Sequence, residues 1–333
     1  MDKADVRDLS RYVDLFKDKK ICVIGDIIAD VYIFGRPYRL SREAPVVVVK
    51  YEEAKTYPGS AGNTINNLLS LGADVYPLAF IGNDGPGSKM MDYFSRFANI
   101  DTSGIIRYEG ATVTKTRILA GDTNTSKQQV IRIDRDDNTQ YSRADKKRLI
   151  SNLKSLSESM DAFIISDYGH GTVDAEILKY LRVVAKNKIV VGDSRYNLKS
   201  MKGITLITPN ESEAFQLSGL NENGSIEEAG KRILRSMSLG ALLITRGNRG
   251  MSLFLKNGTI HHIPISGKDD VTDVTGAGDT VCAVSTLSLA GGADFLTASR
   301  VANYAAGVVV MKRGTATVNP QELKTAIRKN GNI

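Results

Sequence analysis

Residues 273–279, Asp-Val-Thr-Gly-Ala-Gly-Asp, combine two requirements of group transfer to a hydroxyl. Gly276, Ala277 and Gly278 are small, so successive backbone N–H groups there can approach an anion unobstructed. An apolar helical run follows, so the positive end of a helix dipole faces the same point. Asp279 stands at the start of that helix. Its plainest role is to cap the helix, as aspartates commonly do. Phosphoryl transfer, however, needs an anion hole for the moving group and a carboxylate to take the hydroxyl proton. Both lie within these four residues.

Other polar signatures finish apolar runs that read as strands. Gly25-Asp26, with Asp30 beyond it, ends the first. Asp167, Asp193, Asn210 with Glu213, and Thr245 with Arg246 and Gly247 end four more. Asn210 and Glu213 lie one helical turn apart on one face, an amide and a carboxylate suited to holding Mg²⁺ through water. They are equally a helix cap with an acidic first turn. In Pro-Gly-Ser-Ala-Gly-Asn (58–63), Gly59, Ser60 and Gly62 permit close backbone approach, and Asn63 can bond a polyol. A structural turn accounts for the same residues. Lys115 and Arg117 alternate on an extended segment and so point two cations to one face, a solvated face unless a substrate carries phosphate. Residues 82–89, GNDGPGSK, read Gly-Ser-Lys where a P-loop needs Gly-Lys-Ser, and are expected to form a turn and a helix start. No GxGxxG follows the first strand, so a Rossmann dinucleotide site is unsupported.

The elements that would position these residues alternate. Apolar strands are expected at 20–28, 75–82, 161–167 and 188–193, and further on through ITLITPN and LGALLITRG. Helices fall between them, at 60–72, 143–158 and 173–186 among others. This pattern predicts an α/β fold with a doubly wound, mostly parallel sheet flanked by helices. Segments at about 31–52 and 112–134 are β-rich and break the rhythm; the second reads as a hairpin around Gly-Asp-Thr-Asn. They are expected to form a small β-sheet lid. No Pro/Gly/Ser linker divides the chain, so residues 1–333 read as one domain with its lid. In such sheets ligands bind beyond the carboxyl ends of the parallel strands, where the polar signatures gather.

Composition narrows the partners. Of 333 residues, 42% are hydrophobic and 24% charged, ordinary for a globular protein. Cys22 and Cys282 stand far apart among apolar neighbours, and the three histidines lack metal-ligand spacing, which disfavours disulfide and His-zinc chemistry. The net charge of +7 comes from Lys and Arg scattered among acids, with no tryptophan and no basic run interleaved with aromatics, so nucleic acid is not an expected partner. The charged N-terminus lacks a secretory signal and no apolar run could span a bilayer, so no membrane association and a cytoplasmic location are expected.

The ordered set Gly25-Asp26, PGSAGN, Asn210-x-x-Glu213, TRGNRG (245–250) and DVTGAGD resembles the ribokinase-like (PfkB) sugar kinases over essentially the whole chain. More narrowly, REAPVVVVK, TKTRIL, VIRID, ISDYGHG, TPNESE and RGTATV, in this order, resemble the D-glycero-β-D-manno-heptose 7-phosphate kinases, the kinase half of ADP-heptose synthesis for lipopolysaccharide or related surface glycans. In some members a nucleotidyltransferase domain follows; the sequence is expected to end too soon after the kinase segment to include one.

The resemblance implies a ribokinase-like fold, ATP with Mg²⁺ as cofactor and a phosphosugar as substrate. Asp279 would be the general base and Gly276, Ala277 and Gly278 the anion hole. Asp26, Gly59, Ser60 and Asn63 would hold sugar hydroxyls, with Asp167 also on the sugar side and Lys115 and Arg117 meeting the substrate's own phosphate. Asn210 and Glu213 would organise Mg²⁺. Thr245, Gly247, Gly250 and Asn303 would border ATP, with Asp193, Asn210 and Gly278. Asp273 and Thr275 match positions that help bind K⁺ in relatives activated by monovalent cations. The chain departs from the heptose kinase pattern with Gly-Ser-Ala-Gly-Asn for Gly-Gly-Ala-Ala-Asn, His170 for Lys, and Asp193-Ser194-Arg195 for Asp-Pro-Lys. The last two keep a positive or protonatable group but alter its reach. A kinase of another sugar, such as ribose, fructose or a fructose phosphate, is the alternative within the fold. A non-catalytic sugar- or nucleotide-binding regulator is the alternative outside it, disfavoured because a binder needs no base. The exposed edges of the lid strands make a homodimer paired through the lids the expected assembly.

Overall fold

The structure, a computed structural model, describes residues 3–122, 127–136, 140–266 and 272–330. The charged N-terminal segment, to which composition assigned no element, forms a helix, α1 (Lys3–Asp14). Leu9 and Val13 on one side of it, with Phe16 just beyond, are buried in the core. An apolar stripe this narrow is easily lost among charges.

β1 (Lys20–Gly25) is a core strand, but it stops earlier than expected. Asp26 breaks it, and Ile27 and Ile28 instead begin the long strand β2 (Ile27–Leu40), which pairs with β3 (Val47–Ser60). Then come α2 (Ala61–Ser70), β4 (Asp74–Gly82), α3 (Gly85–Phe94) and β5 (Ile105–Tyr108). Asp84 caps α3 by accepting from Gly87, so GNDGPGSK is the expected turn and helix start. Next are β6 (Thr114–Ala120) and β7 (Gln128–Arg135), the expected hairpin; residues 123–126 of its turn lie outside the described residues.

Alternation follows: α4 (Arg143–Leu156), β8 (Ala162–Asp167), α5 (Ala175–Val184), β9 (Ile189–Ser194), β10 (Leu206–Ile207) and α6 (Glu211–Ser218). After these come α7 (Ile226–Met237), β11 (Ala241–Thr245), β12 (Met251–Leu255), β13 (Ile260–Ile263), α8 (Ala277–Ala290), α9 (Phe295–Val309) and α10 (Pro320–Asn330).

Nine strands form the main sheet, in the order β13-β12-β11-β10-β9-β8-β1-β4-β5. Its pairs are parallel except β11/β12 and β12/β13. Successive side chains of a strand point to opposite faces, and here both faces are covered. In β1, Ile21 and Val23 enter the core beneath α1, α2, α8, α9 and α10, while Cys22 and Ile24 enter the core beneath α4 to α7. Strands buried on both sides must read as unbroken apolar runs.

The lid is a separate four-stranded sheet, ordered β3-β2-β6-β7, with β2 and β6 parallel and the outer pairs antiparallel. Because β2 leaves β1 across a single residue, the lid is rooted at the carboxyl end of β1, an interior strand of the main sheet. That attachment places the inner face of β6 over the rim. Among the described residues no helix is long and apolar enough to cross a membrane.

Candidate active site

α8 begins at Gly276, whose φ of 82° is left-handed and favours glycine. No side chain caps this helix, so the first-turn amides of Gly278 and Asp279 have no intrahelical acceptor. Asp279 therefore does not take the capping role that its position allowed. Its carboxylate turns across to α2 instead. Oδ2 accepts from Asn63 Nδ2 at 2.8 Å; Oδ1 accepts from Thr64 Oγ1 at 3.2 Å and from the Tyr168 hydroxyl at 2.9 Å. Asp279 is 6% exposed. Burial pushes its pKa up to about 6, the three hydrogen bonds pulling the other way and Asp30 adding to the rise. A carboxylate tuned toward neutrality can both receive and release a proton at physiological pH. Asn63 is fully buried, and among the described residues its Oδ1 has no hydrogen-bond partner, leaving one acceptor beside the base.

Around this carboxylate the sugar-side residues divide. Gly59 faces Asp30: a Cβ there would lie 2.2 Å from Asp30 Oδ2. Ser60 holds a positive φ of 57° at the entry to α2. Asp30 is buried and paired with Arg117 at 2.6 Å. Lys115, on the same face of β6, stands over the Tyr168 ring at 5.7 Å, and burial lowers its pKa. Asp26 does not open onto the pocket. Its carboxylate accepts from the backbone N–H groups of Tyr168, His170 and Thr172 and so folds the loop after β8. Asp167 is also committed inward, accepting from Gly169 N, Ser194 Oγ and Asn197 Nδ2.

On the other side of Asp279 a cavity of about 250 Å³ is lined by Asp167, Tyr168, Asp193, Ser194, Arg195, Asn210 and Glu213. Asn210 and Glu213 form a reciprocal capping box at the start of α6. Burial raises the Glu213 pKa, with hydrogen bonds from Asn210 and the charge of Arg195 opposing it. Asp193 is pushed well above the carboxylate range by burial, then by Asp279 and Glu213. One amide, Asn210, and three carboxylates, Asp167, Asp193 and Glu213, border this cavity, a hard oxygen donor set that fits Mg²⁺. Among the described residues no group of three or more His, Cys, Asp or Glu is placed to hold a metal ion.

Beyond the cavity, Gly247 and Gly250 both have positive φ around a short turn after Thr245. A Cβ on Gly250 would strike the Ile263 carbonyl at 2.1 Å, whereas Gly247 faces open space. Asn303 donates to the Pro264 carbonyl at 2.8 Å, tying α9 to the strand pair. Asp273 accepts from Thr275 N and Gly314 N, both at 2.9 Å, ordering the loop before α8.

The profile of the pfkB family of carbohydrate kinases matches residues 18–322. The chain belongs to this family. It is 39% identical over 307 residues to the bifunctional protein HldE of Geobacter sulfurreducens, covering 90% of this chain and 61% of that protein. It is 36% identical to HldE of Haemophilus influenzae, covering 96% and 66%. The chain thus spans less than two thirds of the length of these curated relatives, 61% and 66%. Among solved structures, Arabidopsis thaliana ribokinase complexed with ribose and ATP superposes with a TM-score of 0.71 at 17% identity, covering 94% of this chain and 99% of that one. Phosphofructokinase-2 from Escherichia coli gives 0.74 at 13% identity, covering 93% and 99%. The fold is ribokinase-like, and this pfkB protein is an ATP-dependent carbohydrate kinase, of a family that uses ATP with Mg²⁺.

The pfkB fold brings Asp279, Asn63, Lys115, Asp193, Asn210 and Glu213 to one rim, while Thr245, Gly247, Gly250 and Asn303 frame its far end. Sequence reasoning passed over three residues. In the sequence Asp30 merely follows Asp26, yet the i, i+4 shift carries it from the loop clamp to the lid root. Tyr168 sat within a rim signature whose aspartate drew the attention. Thr64 follows Asn63 on a helix face that the apolar pattern of α2 does not mark.

Proposed function

We propose that this pfkB kinase transfers the γ-phosphoryl group of ATP to the anomeric hydroxyl of D-glycero-β-D-manno-heptose 7-phosphate, giving the 1,7-bisphosphate for ADP-heptose biosynthesis. The observation that carries the reading is the buried Asp279 carboxylate, its pKa raised to about 6, beneath a lid face bearing Lys115 and Arg117. Asp279 takes the proton of the acceptor hydroxyl. The free amides of Gly278 and Asp279 receive the transferring phosphoryl oxygens, whose charge grows as the bond to ADP breaks. Asn210 and Glu213, with Asp193 beside them, hold Mg²⁺, which neutralises the nucleotide phosphates when bound. Gly59, Ser60, Asn63 and Asp30 meet the sugar, and Lys115 its existing phosphate. Identities of 36–39% to HldE proteins over most of this chain support the heptose assignment. Asp273 and Thr275 form the K⁺-linked loop of the proposal, and a phosphofructokinase-2 structure in complex with potassium is among the fold relatives.

The lid's outer parts expose Tyr38, Leu40, Val130, Ile131 and Ile133. A face this apolar supports a homodimer joined through the lids, with the enzyme in the cytoplasm where its ATP is found. A monomeric mass by light scattering at working concentration would remove the dimer.

One observation favours a second reading. Arg117 is already paired with Asp30, so one of the two lid cations proposed for a substrate phosphate is committed within the protein, and a kinase of an unphosphorylated sugar fits that arrangement. A coupled ADP-release assay over heptose 7-phosphate, fructose phosphates, fructose and ribose separates the two. Turnover on free sugars with none on heptose 7-phosphate would reject the first reading. Asp279→Asn, run alongside, is expected to lower turnover by about two to four orders of magnitude while ATP still binds.

A further inference from the structure

Tyr168 is fixed at both ends. Its backbone N–H donates to Asp26 Oδ2 at 2.8 Å, and its hydroxyl donates to Asp279 Oδ1 at 2.9 Å. Lys115 of the lid lies over the ring, 5.7 Å from its centroid, near enough for a cation–π contact. The tyrosine is thus held between the lid and the carboxylate.

Each carboxylate oxygen offers two lone pairs. Among the described residues, Oδ1 of Asp279 takes two donors, Thr64 and Tyr168, whereas Oδ2 takes Asn63 alone. Among these partners a single lone pair of the buried group is left, and it is on Oδ2. We propose that Tyr168 is a positioning residue for the general base: its hydroxyl saturates Oδ1, so that the acceptor hydroxyl of the sugar is received at Oδ2. In the transfer step the acceptor O–H bond breaks and its proton passes to Oδ2. The acceptor oxygen forms the new bond to phosphorus, and ADP leaves with the electron pair of the broken P–O bond. This rests on the reading of Asp279 as the base.

Asp279 also feels Asp30 from β2, Asp193 from β9 and Cys282 from its own helix, with Lys115 behind the Tyr168 ring. All of these stay in place when the tyrosine becomes phenylalanine, so the difference reports the one hydroxyl. Donation to the charged form holds a carboxyl's pKa down. In the full-length chain, Tyr168→Phe is therefore expected to move the acid limb of the kcat/KM profile up by about one pH unit and to lower kcat about tenfold at neutral pH. Binding of ATP, for which the proposed contacts are Asn210, Asp193, Glu213 and the first amides of α8, is expected to stay within about twofold. Tyr168→3-fluorotyrosine keeps the ring and strengthens the donor, so its acid limb is expected to move down.

Profiles of both variants that superpose on wild type overturn the proposal. Should Tyr168→Phe fail to fold, the fluorotyrosine variant alone decides, since an unmoved limb there is fatal. Asp279→Asn is measured in parallel: turnover retained by it sinks the base reading itself, whereas an inactive Asp279→Asn with unmoved tyrosine profiles sinks only the role of Tyr168.

Discussion

Arg117, on the lid strand β6, reaches Asp30 on β2 and closes an ion pair of 2.6 Å in which the two side chains are only 17% and 7% exposed. The pair ties the lid to the root of the strand that leaves the main sheet, and it stands where the acceptor sugar would lie. Removing one partner strands the other charge in a poorly solvated place, which costs far more than the pair contributes. Asp30→Ala and Arg117→Ala are each expected to lower unfolding stability by about 3 kcal/mol. The double variant should lose clearly less than their sum. Urea midpoints of the four proteins test this; strict additivity would show that the two charges are not coupled.

Gly276→Ala strikes the base from behind. The position has a φ of 82°, and a Cβ would lie 2.4 Å from Asn63 Nδ2, the donor to Asp279. Backbone strain and displacement of Asn63 together are expected to cost about 1–3 kcal/mol of stability, and kcat should fall because the carboxylate loses its fixed partner. Gly278→Ala is the control. Its Cβ would meet only Asp193 Oδ2, at 3.9 Å, so stability should hold or rise by about 0.5 kcal/mol, while KM for ATP rises as the phosphate approach narrows. Equal stability losses in the two variants would contradict the difference in their surroundings.

Much of this fold was legible because its physics is local. Strands buried on both faces must be apolar throughout, as in Cys22-Val23-Ile24, and the helices between them end in glycine or begin at Asp, Asn or Ser. The rim was legible for the same reason, since each apolar run stops where the chain meets the ligand side. What the sequence hid is non-local. Asp26 and Asp30 are the same residue type four positions apart, and only the tertiary path gives one to the 168–172 loop and the other to Arg117. Asp279 read alone could cap its helix; its true partners lie more than 100 residues earlier. Helix α1 is hidden because charge dominates its composition, while among the described side chains Leu9 and Val13, with Phe16 just beyond the helix, carry its docking.

Asn210 has two roles that a mutation can separate. As N-cap of α6 it accepts from Glu213 N at 2.9 Å, and as an oxygen donor it borders the cavity assigned to Mg²⁺. Asn210→Ser keeps an effective cap but withdraws the longer amide from the cavity. Thermal stability is expected to change by less than about 0.5 kcal/mol, while the Mg²⁺ concentration giving half-maximal activity rises about tenfold. Unchanged Mg²⁺ dependence with lowered stability would leave only the cap.

Asp279 should also be a stability liability, and the sign follows from its raised pKa. In the unfolded chain the group ionises near 3.8, and in the folded protein at about 6. Below the lower value both states hold the proton and nothing is lost. As pH rises from about 4 to about 6 the unfolded chain ionises first, so stability falls, and above that window the deficit is constant. Integrated across the window the deficit is about 3 kcal/mol. Asp279→Asn cannot ionise and escapes it, though it gives up charge-assisted hydrogen bonds from Asn63, Thr64 and Tyr168. The variant is therefore expected to be more stable than wild type at pH 7–8 by about 1–3 kcal/mol, with that advantage vanishing or reversing near pH 4. Guanidinium unfolding of both proteins at several pH values measures the gap. A gap that stays flat between pH 4 and 7 would mean that the carboxyl titrates alike in both states, and that the fold does not hold it as a tuned base.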